Sequence, residues 1–250
     1  MNMIRRLENN FKIQRGASSS ITIEENNAIL LKPQQIRDIV EYFIKEARKR
    51  GLENLYFEIS SQSPNYNTYQ TCFQENGFIY SSERIVVFKD IFSVVETDDL
   101  FDLTTIEEIG EESFREVWNE TIKNATEIKG SMPFEVCKSM MQKEMGDRWK
   151  EHCLIALLDK EPIGIIIPYI EPGTLEEGKL FHFGIVPSMR GKGYESKLLE
   201  KAMYILKEIG AAYYIGTTDR ENEWMKSIFE QNAYQQLSCI ERYTKAVKQG

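Results

Sequence analysis

The chain has 250 residues, 42% of them apolar and 28% charged, a globular composition that excludes intrinsic disorder. A formal charge of −8 disfavours gripping a polyanion over a broad surface, so no nucleic-acid partner is expected, while small cationic partners are attracted. Four scattered cysteines form no CxxC, no histidine stands at metal spacing, and no apolar run approaches the roughly 20 residues of a membrane span, so no metal, disulfide framework or membrane partner is expected.

The first residues, MNMIRRLENNFKIQRG, carry no apolar core and no small-residue cleavage site, which argues against a secretory signal and for a cytoplasmic setting. SITIEE and AILLK then predict a hairpin joined through Asn26 and Asn27, residues that tolerate positive φ. Pro33 opens a helix with apolar residues at Ile36, Ile39, Val40, Phe43, Ile44 and Ala47, and Gly51 stops it. A strand over Leu55 to Ile59, a short helix ending at Asn76 and a strand through Ile85 to Phe88 follow. The acidic, weakly patterned VVETDDLFD marks a boundary, giving domains of 1–92 and 93–250.

Beyond it, helical patterning covers Ile106 to Ile122 and Phe134 to Met145. Three strands are expected near His152 to Leu158, Ile163 to Ile170 and Lys179 to Val186. A helix with Leu198, Leu199, Ala202, Ile205, Leu206 and Ile209 on one face ends at Gly210. A strand over Tyr213 to Gly216, a helix from about Glu221 to Gln231, and a strand including Cys239 to Tyr243 complete the chain. These last elements repeat the order of those after Pro33. FQENGF ends at Phe78 and FEQNAY at Tyr234, pairing Phe73 with Phe229 and Asn76 with Asn232. The first copy is truncated upstream.

The stretch FHFGIVPSMRGKGYESKLLEKAM, residues 181 to 203, carries the chemistry. A strand runs through a basic, glycine-bearing loop directly into a helix, whose first amides lack backbone acceptors and carry the positive end of the dipole. Gly191 and Gly193 allow close backbone approach, and Arg190 and Lys192 add charge. A diphosphate suits such a loop, although neither GxxxxGK[ST] nor GxGxxG is present.

The strand, V-P, RGKGY and the following LLEKA resemble motif A of the GNAT acyltransferase superfamily, with its (Q/R)xxGx(G/A) pattern, and NEWMKSIFEQNAY resembles motif B. The resemblance covers about 101 to 247, and Pro33 to Phe88 looks like the second half of a further such domain, a tandem with one degenerate member. It implies an α/β (α+β) fold: a mixed, largely antiparallel sheet with helices on both faces, preceded by a partial repeat. It implies acetyl-CoA as co-substrate, with the amides of Gly191, Lys192, Gly193, Tyr194, Glu195 and Ser196 around the diphosphate and Arg190 at the first motif position. Backbone groups of Phe183, Gly184 and Ile185, freed where that strand splays from the next, would pair with the pantetheine arm, Asn222 would bond to it, and Phe229 would face the sulfur. The activity implied is N-acetylation of a small-molecule or peptide amine, with a non-catalytic acyl-CoA-binding module as the alternative; a homo-oligomer is left open.

Three residues depart from the family pattern. Glu195 replaces Gly or Ala in the diphosphate loop, where it would repel the ligand unless it turned to solvent or paired with Arg190 or Lys192. Phe229 replaces a proton-donating tyrosine, and Thr217 stands where some members carry an acidic base. His182 on the splayed strand is a candidate base, and Tyr234 and Tyr243 are candidate acids. In the first copy, LKPQQI replaces the loop, so no cofactor is expected there, and Glu58 is expected to face solvent.

Overall fold

The computed structural model describes residues 11–15, 19–25, 29–96, 100–123 and 134–247. The chain has a mixed α/β fold and divides into two compact units, Met1–Val86 with Leu237–Gly250, and Val87–Gln236. The final strand therefore belongs with the first unit, although it closes the second half of the sequence.

In the first unit, β1 (Phe11–Arg15) pairs antiparallel with β2 (Ser20–Glu25), and β2 runs parallel to β3 (Asn54–Ser60). The antiparallel partner of SITIEE is thus FKIQR, not AILLK: residues 29–32 form no strand, and the expected joint at Asn26 and Asn27 lies outside the described residues. The misreading is physical, since AILLK is apolar enough for a strand but Pro33 follows it at once and it serves as the lead-in to a helix. That helix, α1 (Pro33–Lys49), places all six expected apolar residues against Leu55, Phe57 and Ile59. α2 (Tyr66–Glu75) and β4 (Ile79–Asp90) follow, and β10 (Gln235–Ala246) lies antiparallel to β3 from Ile240↔Ser60 to Ala246↔Asn54. Glu58 does not face solvent. It is buried, and its carboxylate accepts from Arg84 at 2.6 Å and Arg242 at 2.7 Å, because β10 brings Arg242 opposite it.

In the second unit, β5 (Asp102–Thr105), β6 (Leu154–Leu158), β7 (Glu161–Ile170) and β8 (Glu177–Ile185) are successively antiparallel, and β8 is parallel to β9 (Tyr213–Asp219). The helical stretch expected over Ile106 to Ile122 is two helices, α3 (Ile106–Ile109) and α4 (Glu111–Thr121), parted at Gly110, whose φ of 84° no continuous helix accepts. α4, α5 (Phe134–Met145) and the short α6 (Trp149–His152) bury Phe114, Trp118, Met141 and Trp149 against Ile155, Ile165 and Ile167 on one sheet face. α7 (Tyr194–Glu208) covers the other face, where Leu198 meets Gly164 and Leu206 meets Gly178 so closely that a Cβ on either glycine would touch them. α8 (Glu223–Gln231) completes the unit. Helices therefore lie on both faces of a mixed sheet.

Candidate active site

The parallel pair β8/β9 is joined only at Glu177↔Tyr213 and Gly178↔Tyr214. From Lys179 to Ile185 the β8 edge has no register partner on β9 among the described residues, so its backbone groups on that side face a cleft. The corresponding pair of the first unit, β2/β3, is zipped through five consecutive positions, Ser20↔Asn54 to Glu24↔Glu58. Only the second unit has the opening.

A bulge shapes the strand that borders it. Ile166 faces Phe183 and Pro168 faces Leu180, so Phe181 and His182 together oppose Ile167 alone. The extra residue breaks the alternation of sides. Phe181 packs into the core under α4 and α5, and His182 also turns to α4, its ring 4.3 Å from that of Trp118. Gly184 lies beside them, and a Cβ there would stand 2.8 Å from both His182 Nε2 and Thr121 Cβ. Phe183 points the other way, stacking on Trp224 of α8 at 6.2 Å.

At the open end of β8, the loop turns through Gly191 (φ 71°) and Gly193 (φ 81°), and Gly193 is the N-cap of α7. No atom lies within 4 Å of where a Cβ on either would stand, so their outer surface is free to receive a ligand. The amides of Tyr194, Glu195 and Ser196 form the first turn of a fifteen-residue helix, and Lys192 is exposed beside them. Arg190 is not free. Its Nε donates to the carbonyl of Ile185 at 3.0 Å and a terminal nitrogen to that of Thr121 at 2.8 Å, tying loop, strand and α4 together. Glu195 neither turns to solvent nor pairs with Arg190 or Lys192; it is 5% exposed and accepts from the Gly191 amide at 2.6 Å.

Asn222 is buried and caps α8: its Oδ1 accepts from the Met225 amide at 3.0 Å and its Nδ2 donates to Thr218 at 3.2 Å. Asn65 stands at the N-cap position of α2 in the first unit without a side-chain bond to that helix; its side chain reaches the chain segment before α1 instead, accepting from the Leu31 amide at 2.9 Å and donating to the Ile29 carbonyl at 2.7 Å. Phe229 is buried against Tyr234, ring centroids 5.0 Å apart. The Tyr234 hydroxyl is buried without a hydrogen-bond partner among the described residues, and burial pushes its pKa far above the ordinary tyrosine value. A phenol held that high is a poor proton donor to a thiolate whose own pKa is about 8.5. Tyr243 lies in the first unit, where its hydroxyl donates to Glu241.

His182 is half-buried, and burial lowers its pKa to about 4. Its Nε2 lies 3.0 Å from Thr121 Oγ1, which is 2.8 Å from the carbonyl of Trp118. The Trp118–Thr121–His182 cluster is invisible in the sequence. Its members are 61 residues apart or more across β8 and α4, and only the bulge brings them together.

An acetyltransferase (GNAT) family model matches residues 107–234, just over half of the chain, from α3 to the start of β10. The chain belongs to the GNAT family. Its matched residues hold the cleft, the glycine loop and both helices beside them. N-alpha-acetyltransferase 30 of Schizosaccharomyces pombe is 28% identical over 98 residues, which span 38% of this chain and 65% of that relative, slightly less than two thirds of its length. A GCN5-related N-acetyltransferase from Sphaerobacter thermophilus has the same fold with a TM-score of 0.71 at 14% identity, over 96% of this chain and 77% of that one. A tandem GNAT protein from the clavulanic acid biosynthesis pathway gives 0.68 at 12% identity, over 95% and 78%. The family model leaves β1 to β5 outside its match.

Proposed function

We propose that the second unit binds acetyl-CoA along the separated edges of β8 and β9 and transfers its acetyl group to an amine. The observation that carries this reading is the coincidence of two features at one place. The parallel pair opens after Gly178 and Tyr214, and the strand bordering the opening leads into two left-handed glycines at the head of α7. Backbone donors and acceptors of Phe183 and Gly184 suit the amides of a pantetheine arm. The free amides of α7's first turn, with Lys192, suit a diphosphate. Arg190 and Asn222 act on this reading through the scaffold, since their side chains already have partners.

The acceptor is an amine, of a small molecule or a peptide. The name of the fission-yeast relative favours a peptide α-amine, and the net charge of −8 favours a cationic one in a cytoplasmic setting. The halves 1–92 and 93–250 are copies of one ancestral unit on this reading. Each has the order strand, loop, helix, strand, helix, strand, with Asn65 and Asn222 at matching N-cap positions of the second helix. In the first copy the zipped strands and the Asn65 bonds to its own chain leave no cleft for a cofactor.

A non-catalytic acyl-CoA-binding module is favoured by one pair of observations, the Glu195 carboxylate on the loop and the missing hydroxyl at Phe229. Release of CoA thiol from acetyl-CoA with a panel of small amines and amino-terminal peptides separates the two. Thiol release above the no-amine control supports transfer; binding of acetyl-CoA without release from any amine supports the module.

A further inference from the structure

A lysine closes the end of one helix in each unit, and in both it arrives on the last strand of the other repeat. β4 ends inside the second unit, whose first residue is Val87, and carries Lys89 to the C-terminal end of α8. The Lys89 ammonium donates to the carbonyl of Asn232, the C-cap residue, at 2.5 Å and stands 4.8 Å over the ring of Tyr234. β10 lies inside the first unit and carries Lys245 to the end of α2. There the ammonium donates to the carbonyl of Asn76, again the C-cap residue, at 2.6 Å and stands 5.8 Å over the ring of Phe78. Lysine, asparagine and ring are each separated from their counterparts by 156 residues. A cation at the last carbonyl of a helix suits the negative end of its dipole.

The surroundings of the two lysines differ. Phe78 lies in the core of the first unit, packed on Phe57 at 5.6 Å and on Phe73 at 5.0 Å. Tyr234 borders an open cavity of about 460 Å³ lined also by Lys89, Glu200 and Met203, so packing does not fix the end of α8 on that side. Lys89 is half-buried, and burial lowers its pKa while the Glu200 carboxylate opposes the shift. From Tyr234 the contact passes to Phe229 of α8, ring centroids 5.0 Å apart. At the other end of the same helix, Trp224 stacks on Phe183 of the opened β8 edge.

We infer that Lys89 is a positioning residue for the acyl-CoA site, holding α8 where it reaches Phe183 on the opened edge of β8. The inference rests on the acetyl-CoA reading and gives the first repeat a task in it, since Lys89 belongs to that repeat's last strand. Lys89 acts through the Asn232 carbonyl and through the Tyr234–Phe229 ring pair. Lys245, holding a helix that borders no cofactor cleft, is its built-in control.

Lys89→Met keeps most of the aliphatic stem and removes the ammonium, and Lys245→Met does the same in the first unit. Each loses one charged hydrogen bond to a helix end, so each should lower Tm by about 4 °C. Calorimetric titration of acetyl-CoA, well below both melting temperatures, should separate them. Lys89→Met should bind about 10-fold more weakly, and Lys245→Met should bind as the wild type does. Lys89→Arg, which keeps a cation and donors, should recover most of the loss. Hydrogen exchange of the ligand-free proteins should quicken over Glu223–Gln231 in Lys89→Met alone, and over Tyr66–Glu75 in Lys245→Met alone. Wild-type affinity in Lys89→Met, an equal loss in Lys245→Met, or unaltered exchange in α8 of Lys89→Met overturns the inference. A wild type that binds no acetyl-CoA also overturns the positioning role, and is told apart as a failure of the acetyl-CoA reading by the exchange pattern, which needs no ligand.

Discussion

The Glu195 carboxylate accepts the amide of Gly191 at 2.6 Å, so the loop expected to hold a diphosphate already holds an anion of its own. The residue at the second position of α7 folds back across the glycine turn and satisfies a donor that a ligand would otherwise receive. This contact explains how a carboxylate is tolerated at a place where charge repulsion alone would forbid it. It also means that ligand binding competes with an internal partner.

Removing that partner should therefore tighten binding. For Glu195→Ala, titration calorimetry with CoA should show affinity rising by about 10-fold, equivalent to about 1.4 kcal/mol. The gain should be larger at low salt because a like charge is also removed. Thermal unfolding of the ligand-free variant should show a loss of about 1 kcal/mol. Unchanged or weaker affinity would mean that Glu195 orders the loop for its ligand.

Arg190 has the opposite profile. Its guanidinium bridges the carbonyls of Ile185 and Thr121, so its substitution should be felt first in stability. Arg190→Ala should cost about 2 kcal/mol and lower Tm by about 6 °C. Arg190→Lys should recover less than half, because an ammonium lacks the planar fork. A variant with unchanged Tm but lost CoA affinity would make Arg190 a direct ligand instead.

Much of the second unit was legible because its signals are local. Glycine loop, apolar helix face and strand order can each be read within a few turns of chain, and the loop from Arg190 to Ser196 stands where the sequence places it. The break at Gly110 is local, whereas the misreadings at Glu58 and SITIEE involve partners distant along the chain. Glu58 was assigned to solvent because nothing near it announces Arg242, which β10 delivers from 184 residues away. The bulge at His182 depends on register with β7, which no property of β8 alone encodes. The fate of SITIEE was likewise set by pairing, with β1 on one side and β3 on the other.

Burial of His182 links stability to pH. The folded chain favours the neutral ring, lowering the pKa from 6.5 to about 4. Between these values the unfolded chain binds more protons, so stability rises with pH across the window. The contribution is complete above about pH 6.5 and is lost progressively as pH falls toward 4, amounting to at most roughly 3 kcal/mol. Urea unfolding between pH 4.5 and 7 should show this slope in the wild type and a shallower one in His182→Gln. Equal slopes in both would assign the acid sensitivity to other groups.

The central claim is that acetyl-CoA binds at the head of α7 beside the opened β8 edge, and its most direct test is calorimetric titration of acetyl-CoA into the wild type and Ser196→Glu. An acidic residue in the first turn of a helix suits the dipole, so the ligand-free variant should unfold at the wild-type temperature. The same charge would stand among the amides that receive the diphosphate. The expected result is one site per chain in the wild type and a loss of about 100-fold in Ser196→Glu. Equal affinity in the two proteins, or no binding by the wild type, would contradict the claim.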